Sequence, residues 1–150
     1  DILPETIARL AEVPNIIGVK EATGELDRVA RIRELCPQDF LLFSGDDETA
    51  CEFMLSGGDG VISVTANVAP RAMHELCVHA LAGKRNAAKE VDKRLLGLHQ
   101  CLFLEANPIP VKWAVARMGM VENGIRLPMT WMSIEYESQL EAAMHQAGVL

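Results

Sequence analysis

The chain has 150 residues, 49% of them apolar and 23% charged, a composition that sustains an ordered core. Its 21 acidic residues against 14 Lys and Arg leave a net charge of −7, and no basic stripe of the kind that neutralises phosphates is present, so no nucleic-acid partner is expected. No run approaches the ~20 apolar residues that cross a bilayer; no basic and apolar leader opens the chain, and a cytoplasmic location without membrane association is expected.

Taken in order, "LPETIARLAEV" predicts a helix, with Pro4 in the first turn and apolar residues at helical spacing. "NIIGVKEA" is a short, partly β-branched run and predicts a strand. "ELDRVARIREL" aligns Leu26, Val29, Ile32 and Leu35 on one side of an amphipathic helix. "DFLLFSG", ending at Gly45, predicts a strand covered on both faces. "DDETACEFMLSGG" predicts a helix with acids at its positive end and glycines past its other end. "DGVISVTA" predicts another buried strand, and "APRAMHELCVHALAGK" a helix from Pro70 to just before Gly83. A long helix near 85–104 carries Ala88, Val91, Leu95, Leu98 and Leu102 on one face. "NPIPVKWAVARMG" predicts a further helix ending at Gly119, and a last one starts at Ser133.

Alternation of short apolar strands with helices demands parallel strands joined by right-handed crossovers. Three strands are few for such a sheet. Either the edges pair with another chain, or the chain is part of a larger barrel. Asp1 in place of methionine, at what reads as a helix start, is expected of a fragment.

Metal chemistry finds little support. The four cysteines at 36, 51, 77 and 101 include no CxxC pair and read as small buried thiols. "HELCVH" sets His74 and His79 five apart, where a shared helix face needs four. The densest basic stretch, "KRNAAKEVDKR", alternates with acids and reads as a solvated helix face.

The residue that does not fit is Lys20, an ammonium at the end of an apolar strand. Alternation puts Ile16, Gly18 and Lys20 on one face and Ile17, Val19 and Glu21 on the other, with Gly18 leaving space beneath Lys20. Ligands of parallel α/β folds bind at the carboxyl ends of strands. A desolvated lysine there favours the neutral amine, which attacks carbonyls to form a Schiff base. The plainer reading has Lys20 reaching to the rim or pairing with Glu21.

"NIIGVKEATG", "LLFSGDD", "GGDGVISVTANVAP" and "EANPIPVKWA", in this order and spacing, closely resemble the 4-hydroxy-tetrahydrodipicolinate synthase (dihydrodipicolinate synthase) family. The resemblance runs from Asp1 to Leu150. It implies an α/β fold that is the C-terminal half of a (β/α)8 barrel: strands six to eight within residues 1–83, then a helical extension over 84–150. It implies that Lys20 forms the imine with pyruvate, that the backbone of Ile62 lines the pyruvate site, and that Gly45 leaves room for the keto acid. Asp46 and Asp47 match the turn near the second substrate, although capping of the following helix is the preferred reading of both. Asn107 and Pro108 match a structural segment.

The implied reaction condenses pyruvate with L-aspartate-4-semialdehyde in lysine and diaminopimelate biosynthesis, with no cofactor and no metal, in a homo-oligomer. The family's proton relay and the arginine for the semialdehyde carboxylate match nothing in these residues, whose one tyrosine is Tyr136. The chain alone is therefore expected to be inactive. The alternatives are an aldolase resembling N-acetylneuraminate lyase and a non-catalytic half-barrel that serves assembly.

Overall fold

A computed structural model describes all 150 residues. They form two compact units, Asp1–Ser63 with Cys77–Ala88, and Val64–Leu76 with Lys89–Leu150. Helices α4 (Pro70–Leu81) and α5 (Arg85–Cys101) each contribute residues to both.

The first unit alternates α1 (Pro4–Ala11), β1 (Gly18–Glu21), α2 (Asp27–Leu35), β2 (Leu41–Ser44), α3 (Ala50–Leu55) and β3 (Gly60–Val61). The strands are parallel in the order β1-β2-β3, with Lys20 opposite Phe43 and Phe43 opposite Gly60. One face of the sheet packs on the helices. Leu42 joins Ile7, Val29, Ile32, Phe40 and Phe53 in the core, with Val19 and Leu26 at its margin. Apolar residues at helical spacing in α1 and α2 drive this burial, as the periodicity predicts. Beneath the sheet, Arg33 donates to the carbonyls of Gly57 (2.9 Å) and Phe40 (2.7 Å) and pairs with Asp59, whose Oδ2 also accepts from the Leu42 N–H at 2.7 Å. One guanidinium thus ties α2 to the loops before β2 and β3.

Several details differ from the sequence expectation. The third strand pairs over two residues only, and Ile62 is 51% exposed rather than buried, because no fourth strand lies beside it. Leu41 is exposed and Phe43 half-buried, so β2 is covered on one face, not two. Helix α3 starts at Ala50, since Asp46 to Thr49 form a preceding turn. Side-chain alternation does not reach back beyond Gly18. Ile16 packs with Val19 on the helix-side core, and Ile17 is exposed, because the strand proper begins at Gly18. Nor does Gly18 leave a space: a Cβ there would lie 2.6 Å from the Leu41 carbonyl oxygen, so glycine is required by the close approach of β2.

In the second unit, Val91, Leu95, Leu98 and Leu102 are buried as their spacing predicts. They share that unit with buried residues of α6 (Ile109–Arg117) and α7 (Ile134–Gln146), including Trp113, Ala114, Leu140 and Met144. Gly97 allows close approach of α7, where a Cβ would meet that of Ala143 at 3.3 Å. Ser133 precedes α7 as expected, but its hydroxyl and N–H donate to Glu105 at 2.8 and 2.9 Å rather than capping the helix. Gly83 and Gly119, with φ of 68° and 73°, close α4 and α6 in the left-handed conformation expected of helix-ending glycines. No helix is long and apolar enough to cross a membrane.

Candidate active site

The sheet face opposite the helices carries Lys20, Phe43 and Gly60 side by side. Lys20 is exposed there and makes no ion pair; the dry surroundings expected of it require more strands than these three to build. Its neighbour Glu21 points the other way and is buried. The Glu21 carboxylate accepts from the Arg28 Nε at 2.8 Å and from the Thr23 N–H at 2.7 Å. Burial alone would raise the Glu21 pKa, but these bonds outweigh it, and the group lies below its ordinary value. Glu21 is therefore committed to Arg28, and the alternative in which it pairs with Lys20 is excluded.

Arg28 was not singled out in the sequence. It also donates to Asp1 at 2.9 and 3.2 Å and to the Ile2 carbonyl at 2.6 Å, clasping the chain before α1. Its signal was a basic residue seven positions after Glu21, in the first turn of the next helix. In a βα unit that spacing returns the helix start to the strand end.

Gly45 meets Lys20 directly. A Cβ on Gly45 would lie 2.6 Å from Lys20 Cε, 3.0 Å from its Cγ and 2.7 Å from Ala22 Cβ. Position 45 therefore has no room for a side chain beside the stem of the lysine. The Gly45 N–H donates to the Glu21 carbonyl at 2.7 Å, so the end of β1 is held by its neighbour strand as well as by Arg28. Ile62, after β3, donates its N–H to the Ser44 carbonyl at 2.8 Å, which leaves its own carbonyl oxygen free beside the sheet.

The two aspartates divide. Asp46 Oδ2 accepts from the Thr49 N–H at 3.1 Å and from the Thr49 hydroxyl at 2.6 Å, bonds that shape the turn before α3. Asp47 is buried. Burial pushes the Cys77 thiol up, and the nearby Asp47 carboxylate adds to that shift. All four cysteines are free. No group of three or more His, Cys, Asp and Glu side chains is arranged to hold a metal.

Against known proteins, the model of the dihydrodipicolinate synthetase family matches residues 1–147. The 4-hydroxy-tetrahydrodipicolinate synthase of Methylococcus capsulatus is 60% identical over all 150 residues, and that of Stutzerimonas stutzeri 59%. The chain spans about half the length of these curated relatives, 52% and 51%. Among solved structures, the chloride-inhibited dihydrodipicolinate synthase from Acinetobacter baumannii, complexed with pyruvate, superposes with a TM-score of 0.97 at 47% identity. That match covers 100% of this chain and 52% of the other. The enzyme from Aquifex aeolicus gives 0.95 at 39%, covering 99% and 51%. The fold is thus α/β, with the strands and helices of the C-terminal half of a (β/α)8 barrel, as the resemblance implied. Three parallel strands in this order, a lysine standing free at the first strand's carboxyl end, and a match over nearly every residue lead to one conclusion: the chain belongs to the dihydrodipicolinate synthetase family.

Proposed function

We propose that this chain supplies the Schiff-base lysine of a pyruvate-dependent lyase that condenses pyruvate with L-aspartate-4-semialdehyde to 4-hydroxy-tetrahydrodipicolinate. The single observation that carries the reading is the isolation of Lys20: at a strand's carboxyl end, with its acidic neighbour taken by Arg28. Membership of the family supports it.

In this reading the Lys20 Nζ adds to the ketone carbon of pyruvate, and loss of water gives a protonated imine. The imine withdraws electrons, a methyl proton leaves, and an enamine forms. The enamine carbon attacks the semialdehyde carbonyl. The amine of that substrate then displaces Lys20 by transimination, closing the ring and restoring the free lysine. Gly45 sets the path of the Lys20 stem, and the Ile62 carbonyl offers an acceptor to the N–H of the protonated imine. Asp46 and Asp47 serve the fold of the turn and of α3 first. Neither metal nor cofactor enters these steps.

Both outer edges of the sheet are unpaired, so further strands must close around Lys20 before water is excluded. The 150 residues alone are expected to be inactive, with residues 1–83 a partial barrel and 84–150 its helical extension, in a cytoplasmic homo-oligomer.

The test is Lys20→Ala in the complete polypeptide, with borohydride trapping of pyruvate on the native protein followed by peptide mapping. A pyruvate adduct on Lys20, and loss of product formation in the variant, are expected. An adduct elsewhere, or turnover surviving the substitution, overturns the assignment. Turnover of N-acetylneuraminate without turnover of the semialdehyde would transfer the same lysine to a different aldolase.

A further inference from the structure

Both tryptophans of the chain line a single cavity of about 370 Å³ in the second unit. Trp113 comes from α6 and Trp131 from the segment before α7; Arg117, Asn123, Glu137 and Glu141 complete the wall. The charges are not balanced. Arg117 donates to Glu141 Oε1 through Nε at 2.9 Å and through its terminal nitrogen, so this guanidinium is spoken for. Glu137, one helical turn earlier on the same face of α7, is half-buried and has neither an ion pair nor a hydrogen bond. One carboxylate therefore remains without a counter-charge in a recess that also holds two indole rings and an amide.

That combination selects a cation. An anion would meet two carboxylates against one neutralised guanidinium. A neutral apolar molecule would leave the carboxylate desolvated without a partner. A small organic ammonium satisfies Glu137 by a charge-assisted hydrogen bond and rests its alkyl part on indole, whose π-face attracts cations. The volume lies in the range of small-molecule sites. We propose that the Trp113–Trp131–Glu137 cavity is a binding site for a small primary ammonium compound, separate from the strand end that carries Lys20.

The tryptophans make the site its own reporter, because all indole emission of the chain arises at this cavity. The full chain is titrated with n-butylammonium chloride at constant ionic strength, with sodium chloride and sodium butyrate as controls. Saturable quenching by the ammonium alone is expected. Glu137→Gln removes the charge but keeps the size, and should raise the half-saturating concentration about tenfold or more, the worth of one hydrogen bond to a charged group. Glu137→Asp keeps the charge and should stay within a few-fold of the native chain, with both variants matched to it by circular dichroism. Quenching that never saturates overturns the proposal, as does saturation by butyrate, equal saturation in Glu137→Gln, or equal loss in both variants.

Discussion

Gly45 and Lys20 are built against each other across adjacent strands: a Cβ at position 45 would lie 2.6 Å from Lys20 Cε and 2.7 Å from Ala22 Cβ. The flexible end of a lysine could swing away from an added methyl. The Ala22 Cβ is fixed to the backbone just past β1 and cannot, and the Lys20 Cγ, at 3.0 Å, moves only by a change of χ1.

Gly45→Ala is therefore expected to displace the Lys20 stem while leaving its amine intact. If Lys20 carries the pyruvate imine in the complete polypeptide, as proposed, its trapping by borohydride should slow on the order of 10²-fold, the usual consequence of a misplacement near 1 Å. A native trapping rate would show that the contact does not govern the path of the amine.

The buried carboxylate next to Lys20 makes a pH prediction. The Glu21 pKa lies below its ordinary 4.5: burial opposes ionisation, but hydrogen bonds from Thr23 and Arg28 outweigh it. A lowered carboxyl contributes stability that is present above the unfolded value and lost as pH falls through the folded one. Glu21→Gln should destabilise the chain by about 1–3 kcal/mol at neutral pH. The difference from the native chain should shrink as pH drops below 4.5. Urea unfolding across that range measures both; a gap independent of pH would mean that the charge of Glu21 is not what stabilises the strand end.

Arg33 holds three partners from one side chain, the carbonyls of Gly57 and Phe40 and the carboxylate of Asp59. Arg33→Ala is expected to lose about 1–2 kcal/mol, and Arg33→Lys to recover less than half of it, since a point ammonium cannot span the same fork. Chemical denaturation midpoints distinguish the two. Full recovery by lysine would reduce Arg33 to a simple surface charge.

A buried contact in the second unit makes the fourth prediction. The Thr65 hydroxyl and His99 Nδ1 lie 2.9 Å apart, while His99 Nε2 has no hydrogen-bond partner and faces Asp92 at 3.6 Å. Thr65→Val strands Nδ1 as well and should cost about 1–3 kcal/mol. Combining it with His99→Leu should lose less than the sum of the single changes, because the double change removes both members of the Thr65–His99 contact together. Strict additivity would mean that the two side chains do not depend on each other.

Local pattern was enough for the order of the elements. Val29 and Ile32 on α2, and Leu95, Leu98 and Leu102 on α5, are buried as helical spacing demands. Gly83 and Gly119 end their helices because the left-handed conformation suits a residue without a Cβ. The exceptional character of Lys20 was equally legible, since an ammonium at the end of an apolar strand needs a reason. These are properties of neighbours along the chain, and periodicity reports them faithfully.

What lies across strands was decided by tertiary structure. Gly18 reads as open space until β2 brings the Leu41 carbonyl to 2.6 Å. Glu21 reads as a partner for Lys20 until α2 folds back and Arg28 takes it. Ile62 reads as a buried strand residue, yet burial depends on a neighbouring strand and none is there. Each depends on which atoms meet through space, a distance that residue spacing does not encode. The sequence by itself determined the succession of helices and strands and singled out Lys20 as an amine that an apolar strand does not explain. Only the folded chain decided what surrounds that amine, because contact, charge pairing and exposure belong to pairs of residues far apart in sequence.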